Sequence, residues 1–132
     1  MNAKWIKPLF VVAGLYDGLL AIGFLFFAGA IFQGAGVEPP NHPAYIQFPA
    51  LLLLIFSAIF FRIARDPMGN RSLIFYGVAL KVSYIGTVFW YHFAGSGIPS
   101  MWVVWAWADI AFLVLFLVAW KSLGQASAVL GR

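Results

Sequence analysis

Four uninterrupted apolar runs, over residues 8–32, 43–64, 72–94 and 99–121, occupy nearly all of this 132-residue chain. Each approaches the roughly 20 residues that a helix needs to cross the hydrocarbon of a bilayer. None alternates apolar with polar positions, as the strands of a membrane barrel do. With 64% hydrophobic residues, 9% charged residues and a mean hydropathy of +0.94, the chain lacks the polar surface to enclose a water-soluble core. Lipid must be its main solvent, and there only elements that pair their own backbone groups survive. The expected fold is all-α: a single integral membrane domain over residues 1–132, built as a four-helix up-down-up-down bundle.

The breaks between the runs carry turn chemistry. Gly34, Gly36, Pro39 and Pro40 oppose helix continuation after the first run, and Pro43 and Pro49 fall in the opening turns of the second, where Pro49 is expected to bend the helix. Asp66-Pro67 and Gly69-Asn70 mark a tight turn, with Asn70 or Ser72 placed to cap the third helix. The third break, Gly95-Ser96-Gly97-Ile98-Pro99, is short and uncharged. Short connections favour neighbouring helices that run in opposite directions.

Orientation follows from the cations. Lys4, Lys7, Arg62, Arg65, Arg71, Lys121 and Arg132 all fall on one side of a four-span arrangement, and the opposite loops hold no Lys or Arg. Basic residues flank spans on the cytoplasmic side, so both termini are expected there. Trp5 and Trp120 then mark the inner interface and Tyr45, Trp90, Tyr91 and Trp102 the outer one. Lys4 and Lys7 ahead of a run ending in Ala28-Gly29-Ala30 also suit a signal peptide, but that run is longer than a signal core and contains Asp17. The net charge of +4 is spent on these flanks and forms no separate basic stripe, so the lipid bilayer is the expected partner and nucleic acid is not. Gly14 and Gly18, four apart in the first run, suit close helix packing.

Three ionisable side chains lie inside the runs themselves: Asp17, Lys81 and Asp109. A charge at a span centre costs roughly 2.5–3.5 kcal/mol on insertion scales, so each must find a partner. Counting from the ends of the runs at about 1.5 Å per residue brings all three near one depth on the first, third and fourth spans. Two carboxylates and one ammonium leave one negative charge in excess. A proton, a bound cation or a cationic ligand would neutralise it. Tyr84, at i+3 from Lys81, and Trp105, at i−4 from Asp109, share their helix faces and extend the expected site. Gly77 and His92 fall on the Lys81 stripe, and Ser83, Thr87 and Tyr91 on the stripe beside it.

Other chemistry finds little support. The absence of cysteine removes disulfides, thiolate metal sites and thiol catalysis. His42 and His92 are the chain's two histidines, and a haem held between them would need His42 to fold inward from a loop. There is no dinucleotide glycine pattern, phosphate loop, zinc spacing or Ser-His-Asp set, so no cofactor or metal is expected and no catalytic residue is assigned.

The segments Gly36-Val37-Glu38-Pro39-Pro40-Asn41-His42-Pro43, Ala64-Arg65-Asp66-Pro67 and Gly77-Val78-Ala79-Leu80-Lys81, set in four spans, resemble small bacterial membrane proteins loosely similar to the DoxX-like group. The resemblance implies the same four-helix architecture, a bacterial inner-membrane location and an association with membrane redox systems. Two functions are therefore expected. In the first, a proton or small polar ligand binds, or is transported, at the Asp17, Lys81 and Asp109 cluster, in a homo-oligomer or larger membrane complex. In the second, the chain is an accessory or structural subunit whose charged centre only fixes helix register.

Overall fold

The computed structural model describes residues 4–95 and 97–129. Arg132, used above for orientation, and Ser96 of the third break lie outside the described residues. The described residues form five α-helices: α1 (Ile6–Phe26), α2 (Ala28–Ala35), α3 (Ala44–Arg65), α4 (Ile74–Phe93) and α5 (Ser100–Val129), with a 3-10 turn at Arg71–Leu73 leading into α4. No strand occurs among them. Taking that turn with α4, four of the helical segments are long and apolar enough to cross a membrane, the composition of a multi-pass bundle.

The first apolar run is divided. At Phe27 the backbone leaves helical geometry (φ −129°, ψ 21°), although its N–H still reaches the Gly23 carbonyl at 2.7 Å. The chain restarts as α2, which returns Phe32 to within 5.9 Å of the Phe24 ring. No proline forces this break; the turn lets Phe32 of α2 pack against Phe24 and Trp102, a contact that a straight continuation of α1 would not make. Gly36 closes α2 in the left-handed region (φ 67°), with the Val37 N–H reaching back to the Phe32 carbonyl at 2.9 Å.

Helix α1 packs along α3 and α4 along α5. The first pair approaches closely because Gly14 and Gly18 present no side chain. Ser57 of α3 uses the space, its hydroxyl donating to the Gly14 carbonyl at 2.6 Å. A Cβ at Gly18 would stand 2.8 Å from that same Oγ, and one at Gly14 would stand 2.9 Å from the Phe61 ring. The glycine pair thus serves helix packing.

Asn70 does not cap α4. Its amide instead donates to the carbonyls of Arg62 (3.1 Å) and Asp66 (3.0 Å), closing the end of α3, while Asp66 accepts the Gly69 N–H at 3.1 Å. Arg71 then ties the start of α4 to α5: its Nε donates to the Trp120 carbonyl at 2.8 Å and its guanidinium lies 4.0 Å from the centre of the Trp120 ring. Helix α5 continues well past Lys121. At 30 residues it is about 45 Å long, more than the hydrocarbon thickness requires.

The interior has two unlike halves. The first is a dense cluster of Ile6, Phe10, Phe60, Ile63, Ile74, Phe116 and Leu123 with small residues between them, gathered from the first half of α1, the second half of α3, the start of α4 and the later turns of α5. Phe10 stacks on Phe116 at 4.8 Å, and Phe60 meets Phe116 at 5.2 Å. Gly77 of α4 admits these rings, since a Cβ there would stand 2.7 Å from Phe60. The second half, around Phe24, Phe32 and Ala50 with Trp102 and Trp105 against them, encloses open space.

Candidate functional site

The three charged side chains meet where these halves join. Lys81 Nζ donates to Asp17 Oδ1 at 3.1 Å and to Asp109 Oδ1 at 2.9 Å, bridging α1, α4 and α5. Asp17 and Lys81 are each 1% exposed and Asp109 is 7% exposed. The convergence expected from helix depth is therefore present. The ammonium is also surrounded by rings, lying 5.2 Å from the centre of Phe112, 5.4 Å from Tyr16 and 5.9 Å from Phe60. Charges this deep are strongly coupled, and removing one partner leaves an uncompensated charge in low dielectric.

The carboxylates are not saturated. Asp17 Oδ2 is buried and no donor among the described residues reaches it; the Tyr16 hydroxyl is likewise buried without a partner. Unpaired polar atoms in an apolar interior are costly, and native structures hold few of them.

Above this centre lies a cavity of about 240 Å³. Its floor is Asp17, Lys81 and Asp109, and each of the four long helices then contributes a wall. From α1 come Tyr16, Leu20 and Phe24; from α4, Leu80 and Tyr84; from α5, Trp102 and Trp105; and from α3, Ile46, Pro49, Ala50, Leu52 and Leu53. The faces follow helical spacing, with Asp17, Leu20 and Phe24 one turn apart on α1, and Trp102, Trp105 and Asp109 one turn apart on α5. The Tyr84 hydroxyl donates to the Trp102 carbonyl at 2.8 Å. Trp105 stands edge-on to Phe24 (5.5 Å, 89°) and to Trp102 (5.4 Å, 77°). Walls of this kind suit an apolar body, and the floor suits a single polar or charged end.

All five side chains expected at the site, Asp17, Lys81, Asp109, Tyr84 and Trp105, line this one cavity. Trp102, read from sequence as an outer-interface residue, lines it as well, stacked on Phe24 at 5.8 Å. Tyr16, Phe24 and the whole α3 wall escaped the sequence reading. For Phe24 a signal existed, its position at i+7 from Asp17; for α3, a span without an ionisable centre, there was none.

The polar stripe beside Lys81 stays apart from the site. Ser83 and Thr87 are exposed and bond back into their own helix, to the carbonyls of Ala79 (2.7 Å) and Ser83 (2.8 Å), so each hydroxyl is satisfied on the outer surface. His92 is exposed against Phe89 and Phe93. His42 accepts the Ala44 N–H at 3.1 Å, capping the start of α3.

Comparison of the chain with protein-family models, curated proteins and solved structures gives no match to any of them.

Proposed function

We propose that this chain is a small multi-pass membrane protein that binds, and in an oligomer transports, a proton or small polar ligand at Asp17, Lys81 and Asp109. The spans run up-down-up-down with both termini in the cytoplasm of a bacterial cell, at its inner membrane. One observation carries the reading. The ion-paired centre forms the floor of a cavity, whereas a charge set that only fixed helix register would be sealed on all sides by packing. Lys81 holds both carboxylates in place, and the one positive charge that they still lack is what the site exchanges. Asp109, the most exposed of the three, is the member through which a proton or ligand passes to and from the cavity.

The test is reconstitution into vesicles holding a pH-sensitive dye, followed by an external acid pulse. Lumenal acidification faster than in protein-free vesicles, reduced to background by Asp109→Asn in a correctly assembled protein, is the expected result. Equal rates with and without the Asp109 carboxyl would remove it from the pathway.

A second reading, an accessory subunit in a larger membrane complex such as a redox assembly, draws on the outer face. Trp90 (72% exposed), Phe93 (77%) and Trp107 (61%) stand around Phe89, whose ring lies 5.1 Å from Trp107 and 5.6 Å from Phe93. Exposed aromatics so grouped suit contact with another chain. Mild-detergent extraction followed by native mass spectrometry separates the readings: defined hetero-complexes favour the subunit, and homo-oligomers favour the first.

A further inference from the structure

The chemical class of ligand can be read from the cavity, on the reading that the cavity is a binding site. Four features limit what fits. The floor carries two carboxylates against one ammonium, so an anion is repelled and a monocation makes the set neutral. Asp17 Oδ2, on a residue 1% exposed, is an acceptor with no protein donor among the described residues, so the ligand's polar end supplies a hydrogen-bond donor, and the charge balance makes that donor a cationic N–H. The walls include the aromatic rings of Tyr84, Trp102 and Trp105, a lining that suits the body of an organic cation. The volume of about 240 Å³ gives room for roughly ten non-hydrogen atoms, judged against a cavity of about 150 Å³ that holds benzene.

The way in is set by exposure. Leu52 (39% exposed) and Pro49 are the exposed members of the α3 wall, while the floor residues are buried. Leu52 lies about 12 Å along α3 from its start at Ala44, a depth that the proposed topology puts within the hydrocarbon. Pro49 carries no N–H, so this stretch of the rim presents an apolar ring and one backbone donor fewer.

We propose that the cavity takes a small primary ammonium ion with an aromatic or aliphatic body, which enters sideways from the lipid past Pro49 and Leu52 and sets its N–H against Asp17 Oδ2. The ligand's ring lies among Phe24, Trp102 and Trp105, and its positive charge completes the centre.

Equilibrium dialysis of the detergent-solubilised full chain decides this, with protein-free micelles as the blank and three probes of one shape. Phenethylamine is the cation, 2-phenylethanol the neutral isostere and phenylacetate the anion. Expected are saturable binding of phenethylamine, at least about tenfold tighter than 2-phenylethanol, and no binding of phenylacetate. Asp17→Asn lowers amine affinity by about tenfold or more and leaves the alcohol unchanged. Leu52→Trp, at the exposed rim of the cavity, slows the approach to equilibrium for both the amine and the alcohol when the dialysis is sampled over time. Equal affinity for amine and alcohol overturns the ammonium assignment while leaving a binding site. Failure of all three probes overturns this inference, while proton flux in the vesicle assay decides the reading on which it rests. Should Asp17→Asn fail to fold, the comparison of probes on the parent chain decides alone.

Discussion

The Tyr84 hydroxyl reaches across from α4 to the backbone of α5, donating to the Trp102 carbonyl at 2.8 Å. That bond fixes the edge of the cavity on both helices at once, and it holds the phenol beside the charged floor. In Tyr84→Phe the ring stays and the donor goes. The expected loss is about 1 kcal/mol of stability, the usual net value of such a bond. Unfolding of the variant by denaturing detergent checks it, and a loss several times larger would show that the hydroxyl also supports the ion pairs.

Lys81 is held by two carboxylates, so its removal alone should cost more than the removal of the whole set. Lys81→Met leaves Asp17 and Asp109 facing each other without a cation, and should cost about 3–5 kcal/mol. Adding Asp17→Asn and Asp109→Asn removes the stranded charges, and the triple variant should recover most of that loss. The same unfolding measurement on single and triple variants tests it. A triple variant no more stable than Lys81→Met would mean that the ion pairs contribute net stability.

Two glycines of one helix give opposite expectations. A Cβ at Gly77 would stand 2.7 Å from the fully buried Phe60, which has nowhere to move, whereas at Gly86 nothing lies within 4 Å. Gly77→Ala should destabilise by about 1–3 kcal/mol through overpacking. Gly86→Ala should stabilise by about 0.5–1 kcal/mol, because alanine loses less backbone freedom in a helix. Melting temperatures that move in the same direction for both would refute the packing account of α4.

The proposed orientation can be read with thiol labels, since the chain has no cysteine of its own. Asn41 and Arg65 are both exposed and lie in loops or helix ends on opposite sides of the proposed arrangement. In intact cells, Asn41→Cys should react with a membrane-impermeant maleimide, and Arg65→Cys should react only after lysis. The reverse pattern would invert the topology.

The helical class and the charged centre were legible because lipid leaves few options. Continuous apolar runs must be helices, and Asp17, Lys81 and Asp109, stranded within them, must pair. Trp102 stands near a helix end, where a tryptophan satisfies an interfacial belt and a cavity wall equally well; its packing against Phe24 and Phe32 places it in the wall. The break at Phe27 has no strong local breaker, and its cause lies in the contact of α2 with residues distant in sequence. Asn70 shows the same limit at a turn. Its amide suited two helix ends, and the carbonyls of α3 claimed it.

Phe10, Phe60 and Phe116 form a gasket beneath the charged floor. Whatever reaches Asp17 and Asp109 arrives by the hollow side and leaves by the same side, as long as those rings stay together. The proposed passage through the bilayer would therefore demand a second shape of the bundle, in which three buried phenylalanines part and the open side shuts.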